Sequence, residues 1–181
     1  MTADILLRAV TDSDLPIFFE HQLDAGANFM AAFTTKDATD RAAFMAHWAK
    51  IQADPGITIR TILVEGQVAG HVLVHGWFGE PEVSYWIGKA YWGKGVASQA
   101  LAQFLDQVPA RPLYARVVKD NLASRRVLEK CGFTISGEDK GFANARGTEV
   151  EEFNLNLSPS PAIDPHEPVP NVERDPDPNQ R

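Results

Sequence analysis

The feature that most constrains this chain is the run Glu82-Val-Ser-Tyr-Trp-Ile-Gly-Lys-Ala-Tyr-Trp-Gly-Lys-Gly-Val-Ala-Ser-Gln-Ala-Leu101. A strand over Glu82–Ile87 leads into Gly93-Lys94-Gly95, and a helix from about Lys94 to Gln107 starts at once. The first N–H groups of a helix have no partner within it, and the helix dipole puts partial positive charge behind them. Glycine lets a ligand approach that backbone closely, so the turn reads as an anion site suited to phosphate or pyrophosphate. For Gly-x-Gly alone, a tight turn with no ligand is the competing reading. Two phosphate motifs are excluded. A Walker loop needs Gly-Lys-Ser/Thr, and Gly95 follows Lys94. A dinucleotide fingerprint needs Gly or Ala three residues after Gly95, where Ser98 stands, and an acid about 20 residues on, where the chain has Leu113 to Ala115.

A second junction follows in Asp120-Asn121-Leu-Ala-Ser124-Arg-Arg-Val-Leu128-Glu-Lys-Cys-Gly132-Phe133. Asp120 or Asn121 caps a helix running to Cys131, Ser124 lies one turn in, and Gly132 fits the position just past the helix end. Two such junctions side by side form a cleft at the carboxyl ends of neighbouring strands, where α/β ligands bind.

The rest of the body alternates in the same way. Strands are expected at Ile5–Val10, Ile57–Glu65, Val68–Phe78, Pro112–Val118, Phe133–Gly137 and Val150–Leu157. Thr11-Asp12-Ser13-Asp14 opens a helix to about Asp24. Ala25–Lys36 reads as a loop carrying Phe29 and Phe33, and Thr39–Ala53 as a helix with Phe44, Trp48 and Ile51 on one face. Glu65-Gly66-Gln67 is a hairpin turn. Hairpins and helical crossovers together give an α+β fold with one mixed sheet.

Composition sets the outer limits. The chain carries 24 acids against 17 bases, a net charge of −7. That balance argues against a nucleic-acid or anionic-membrane surface and leans towards a cationic partner. Seven of the 24 residues from Ser158 to Arg181 are proline, and that stretch has no aromatic residue. It reads as a disordered or extended acidic tail, residues 158–181, behind a single domain over 1–157. No apolar run reaches the roughly 18 residues of a membrane span, and the N-terminus lacks a signal-peptide pattern. The one cysteine, Cys131, permits no intrachain disulfide and no cysteine zinc cluster. The expectation is a cytoplasmic protein, monomer or homodimer, with no metal.

Together, Trp92-Gly93-Lys94-Gly95-Val96-Ala97 and Asn121, Ser124, Gly132 and Phe133 resemble the GCN5-related N-acetyltransferase (GNAT) superfamily. The first matches its Arg/Gln-x-x-Gly-x-Gly/Ala signature, the second its Asn-x-x-Ala/Ser…Gly-Phe segment. Tyr-Trp-Ile-Gly and Asn-x-x-Ser look like the branch that includes ribosomal-protein N-terminal acetyltransferases. The resemblance implies a mixed, mostly antiparallel central sheet flanked by helices, with strands splayed beside Ile87. It implies acetyl-CoA as acyl donor, its pantetheine arm on the backbone of Trp86 and Ile87 and its pyrophosphate on the amides of Gly93 to Ala97. Asn121 would bond the cofactor arm. Trp92 stands where the signature has Arg or Gln and offers phosphate neither contact; Lys94 would supply the charge.

The implied reaction is direct acyl transfer from the thioester to a primary amine, of a small molecule or a protein N-terminus. Alkylamines are protonated at neutral pH, so a base must take a proton. Glu82 is the candidate, against a plain solvated strand charge. A backbone N–H near Ile87 would stabilise the oxyanion. The family often carries a proton-donating Tyr four residues after the Ala/Ser position. Here that residue is Leu128, which leaves Ser124 as candidate acid and as a cofactor contact, bonding the sulfur or the cofactor arm, against an ordinary first-turn serine. Phe29 and Phe33 are candidate acceptor contacts. His71 and His75, roughly 13 Å apart on one strand, are too far apart to share a metal ion, and Cys131 reads as packing. The alternative function is a catalytically idle acyl-CoA sensor.

Overall fold

The computed structural model describes residues 3–159. Of the expected tail, 158–181, all but residues 158 and 159 lie outside the described residues. Seven strands form one sheet: β1 Ile5–Arg8, β2 Thr58–Val64, β3 Gln67–His75, β4 Glu82–Ile87, β5 Leu113–Val118, β6 Thr134–Ala143 and β7 Thr148–Leu157. Their order is β1-β2-β3-β4-β5-β7-β6. All neighbours are antiparallel except β4 and β5, which run parallel. The expected mixed, mostly antiparallel sheet is what forms. The hairpin between β2 and β3 turns at Glu65 (φ 50°) and Gly66 (φ 76°), a pair of left-handed residues that matches strand twist.

Helices α4 (Val96–Gln107) and α5 (Leu122–Lys130) cover one face. There Val72, Leu101, Phe104, Leu113, Leu128, Phe133 and Leu155 make the main core. Helices α1 (Leu15–Gln22) and α3 (Arg41–Ala53) cover the other face over β2 and β3. Phe44, Trp48 and Ile51 sit on the buried stripe of α3, as their spacing predicts, and pack with Leu15, Phe18 and Phe19.

Two expectations are corrected. The supposed loop from Ala25 to Lys36 begins with helix α2, Ala25–Ala31. Its composition is unremarkable, but the Asp24 carboxylate accepts from the Ala27 N–H at 2.8 Å, and the Asn28 amide donates to the carbonyls of Gln22 and Asp24. Caps nucleate a helix that propensity alone does not. The last strands are also longer than expected. β6 and β7 pair through nine residue positions on an edge hairpin whose polar faces hide its periodicity.

Candidate active site

β4 and β5 pair at a single position, Glu82 opposite Tyr114, where the Tyr114 N–H also donates to the Pro81 carbonyl at 2.9 Å. Beyond it the strands diverge, opening a gap at their carboxyl ends. Helix α4 starts at one lip and α5 at the other.

Strand alternation decides which backbone groups face that gap. The Gly88 N–H donates to the Ala69 carbonyl of β3 at 2.8 Å. The polar groups of Trp86, two residues back, therefore also face β3, and those of Tyr85 and Ile87 face the gap. The Trp86 backbone expected to hold the cofactor arm is thus turned away, and Tyr85 takes its place beside Ile87. The Ile87 carbonyl already accepts from the Trp92 indole N–H at 2.8 Å. The exposed Trp92 folds its indole N–H back onto this corner, a use for the ring that no anion contact suggests.

Gly93 and Gly95 have φ of 70° and 74°, conformations that side chains rarely adopt. Gly95 is the N-cap of α4 and offers no side-chain cap. The first helical bond is from the Gln99 N–H to the Gly95 carbonyl, so the amides of Val96, Ala97 and Ser98 point outward unclaimed by the helix. A methyl on Gly93 would meet nothing within 4 Å. Lys94 folds back, its Nζ donating to the Ala90 carbonyl at 2.9 Å.

On the opposite lip, the Asn121 side chain is occupied within the protein. Its Oδ1 accepts from the Ser124 N–H at 3.2 Å and its Nδ2 donates to the Met30 carbonyl of α2 at 3.2 Å. The Ser124 hydroxyl is 2.8 Å from the Tyr85 hydroxyl, a strut from β4 to α5 beside the gap. Burial pushes the Tyr85 hydroxyl up to about 12, against the lowering effect of its Ser124 bond. The sequence marks Tyr85 only as an aromatic of the β4 strand. Only the register shows its hydroxyl meeting Ser124.

Glu82 sits at the closed end of the splay. Its carboxylate accepts from Arg116 Nε at 3.0 Å, and Arg116 also lies 3.6 Å from the buried Glu152. Burial raises the Glu152 carboxyl above its usual range. Phe29 and Phe33 are exposed on and just after α2. Arg146 lies 4.3 Å from the centre of the Phe29 ring, donates to the Phe29 carbonyl and forms a two-bond pair with Asp120. Phe33 packs on Gly141 of β6. Between them, buried Ala32 has φ 62° and ψ −60° in a tight turn closed by the Phe33 N–H on the Ala31 carbonyl. His71 is enclosed by Phe18 and Trp48, and His75 stacks on Trp77 with ring centres 3.9 Å apart. Cys131 meets the Ser98 carbonyl at 3.6 Å, as a packing cysteine would. Among the described residues no group of three His, Cys, Asp or Glu side chains is arranged to hold a metal ion. No helix among them is long and apolar enough to cross a membrane.

Several solved structures that share this fold carry acetyltransferase names or a bound CoA. The chain is similar to Mycobacterium smegmatis RimJ in complex with CoA-disulfide, with a TM-score of 0.71 and 22% identity over 84% of this chain and 81% of that one. It is similar to yncA of Salmonella typhimurium, described as a putative acetyltransferase with its cofactor acetyl-CoA, with a TM-score of 0.71 and 20% identity over 89% and 97%. The chain belongs to the GNAT acetyltransferase family, whose domain matches residues 4–134. A curated relative, the uncharacterized N-acetyltransferase p20 of Bacillus licheniformis, is 26% identical over 83 residues, 44% of this chain. The chain spans about half the length of that relative, 47%.

Proposed function

We propose that residues 1–157 transfer the acetyl group of acetyl-CoA to a primary amine, of a small molecule or a protein N-terminus, by direct attack in a ternary complex. The observation that carries this reading is the parted β4–β5 pair. Strand backbone at Tyr85 and the Ile87 N–H, turned away from β3, lies beside a glycine-headed helix start, so an extended amide-bearing arm and its pyrophosphate fit in one line. The amides from Gly93 through Lys94, Gly95 and Val96 to Ala97 would hold the pyrophosphate. Lys94 would add charge on leaving Ala90, and Asn121 would reach the arm through its remaining donor hydrogen. Structures of the same fold carry CoA or acetyl-CoA, which supports the donor.

In the reaction the amine loses a proton, its lone pair forms the C–N bond, and the C–S bond breaks to give CoA thiol. A backbone N–H of the gap would stabilise the oxyanion. Ser124, backed by Tyr85, would return a proton to sulfur. Glu82 is the carboxylate available as base, and its bond to Arg116 must loosen for that role. Phe29 and Phe33 flank the acceptor side. RimL, a ribosomal L7/L12 alpha-N-protein acetyltransferase, shares the fold, which keeps a protein N-terminus among the acceptors. One cysteine in 181 residues and an acetyl-CoA substrate suit a cytoplasmic enzyme. Leu128 in place of a hydroxyl favours the second reading, an idle acyl-CoA sensor. Thiol release from acetyl-CoA across a panel of amines and free-N-terminus peptides separates the two. Turnover supports transfer, while calorimetric binding of acetyl-CoA with no turnover supports the sensor.

A further inference from the structure

Three buried side-chain nitrogens lack a hydrogen-bond partner among the described residues: Nδ1 of His21, Nδ1 of His71 and Nε1 of Trp86. They belong to one region. His71 and Trp86 are cross-strand partners of β3 and β4, so their side chains share a face. Gly88 follows Trp86 by two residues on the same side of the chain. The edge of the His21 ring, from the last turn of α1, lies so close that a methyl on Gly88 would sit 2.7 Å from its Nε2. Gly88 has a φ of −57°, open to any residue. What it provides is room for His21. Buried polar groups in native proteins are normally bonded, and a cluster of exceptions asks for a partner from outside.

Resting on the acetyl-transfer reading, we propose that His21, rather than Glu82, is the proton acceptor for the amine, held beside the sealed His71 and Trp86 side chains. His21 stands one residue beyond Ile87, at the open end of the splay, whereas Glu82 is held by Arg116 at the closed end. With Nδ1 carrying the hydrogen, Nε2 faces Gly88 with a free lone pair. R–NH3+ gives one proton to Nε2, the amine attacks the thioester carbon, and the C–S bond breaks as C–N forms. The second amine proton ends on sulfur, directly or through Ser124, which gives its own proton to sulfur and takes the amine's in return, and the imidazolium returns its proton to water. The titratable and charged groups around His21 are His71 on β3, Lys89 beyond β4, Asp24 at the start of α2, and Glu20 on α1. Lys89 and Asp24 pair with each other at 3.4 Å, and Glu20 is exposed. Burial holds the His21 imidazole below its usual value, so it is neutral and able to accept at pH 7.

The test is the pH dependence of kcat/KM for the full chain with acetyl-CoA and two acceptor probes, trialanine and spermidine, for wild type, His21→Gln, Gly88→Ala and Glu82→Gln. The expected result is a fall in kcat of at least about 100-fold in His21→Gln. The acid limb that breaks below pH 6.5 is lost with it, while acetyl-CoA affinity and Tm are kept. Gly88→Ala, which displaces the ring, lowers kcat in the same direction, and Glu82→Gln retains the limb. Wild-type turnover with His21→Gln within threefold, or with the limb intact, overturns this assignment alone. Acetyl-CoA binding with no wild-type turnover overturns the transfer reading, and the assignment falls with it.

Discussion

Asp14 is sealed from solvent yet charged, and its surroundings explain how. Burial pushes its carboxyl up, but two bonds from Arg8 (2.6 and 2.8 Å), one from the Thr11 N–H and one from the Thr61 hydroxyl bring it down to about 2 from 3.8. Since the folded value is the lower one, the stabilisation is complete above pH 3.8 and is lost as pH falls through 2. It is worth about 2.5 kcal/mol by linkage. Asp14→Asn should lose roughly that much in urea melts at pH 7, and a change under 0.5 kcal/mol would contradict it. At the gap, Ser124 and Tyr85 form a pair whose two roles separate by variant. Ser124→Ala should lower kcat at least about tenfold with acetyl-CoA affinity kept. Tyr85→Phe should cost about 1 kcal/mol of stability and a smaller part of kcat. If Ser124→Ala leaves kcat unchanged, water protonates the thiolate.

At the scale of elements, the start of α4 offers a test that spares the fold. Gly95→Val would mix two effects, since a branched residue is strained at φ 74°. Ala97→Asp avoids this. An acid in the first turn of a helix favours the helix dipole, yet it repels pyrophosphate at the same amides. Acetyl-CoA affinity should fall at least about tenfold, on the order of 1.4 kcal/mol, with the fold kept, although Ala97 packs partly against the core. Wild-type affinity would place the pyrophosphate elsewhere. This junction was readable in sequence because alternation in Glu82–Ile87, two glycines and an amphipathic stripe agree on one local structure. Helix α2 was not readable, because it depends on Asp24 and Asn28 and on distant Arg146. The site divides along the same line. Its glycine turn and Ser124 are local features, whereas the choice of Tyr85 over Trp86 and the position of His21 against Gly88 follow from the β3–β4 register and the docking of α1. No spacing along the chain encodes those.

For the molecule as a whole, the histidines decide how the fold responds to acid. His21, His47, His71 and His75 are all held below the usual value of 6.5, in each case chiefly by burial. His71, packed between Phe18 and Trp48, is lowered furthest, to about 3. A neutral buried imidazole binds no proton in the native state, while the unfolded chain takes one up below 6.5. Stability is therefore full above pH 6.5 and falls continuously as pH drops towards 3. For His71 alone the slope approaches 1.4 kcal/mol per pH unit, so about 2 kcal/mol is gone by pH 5. That onset lies well above the Asp14 window, so the first acid response should be histidine-driven. His71→Phe puts an apolar ring into an aromatic pocket where Nδ1 has no partner. Urea midpoints at pH 7.5, 6 and 5 should show this variant at least as stable as wild type at pH 7.5, with a shallower decline to pH 5. An unchanged decline would mean that His21, His47 and His75 carry the acid sensitivity, and that His71 takes up its proton without unfolding the chain.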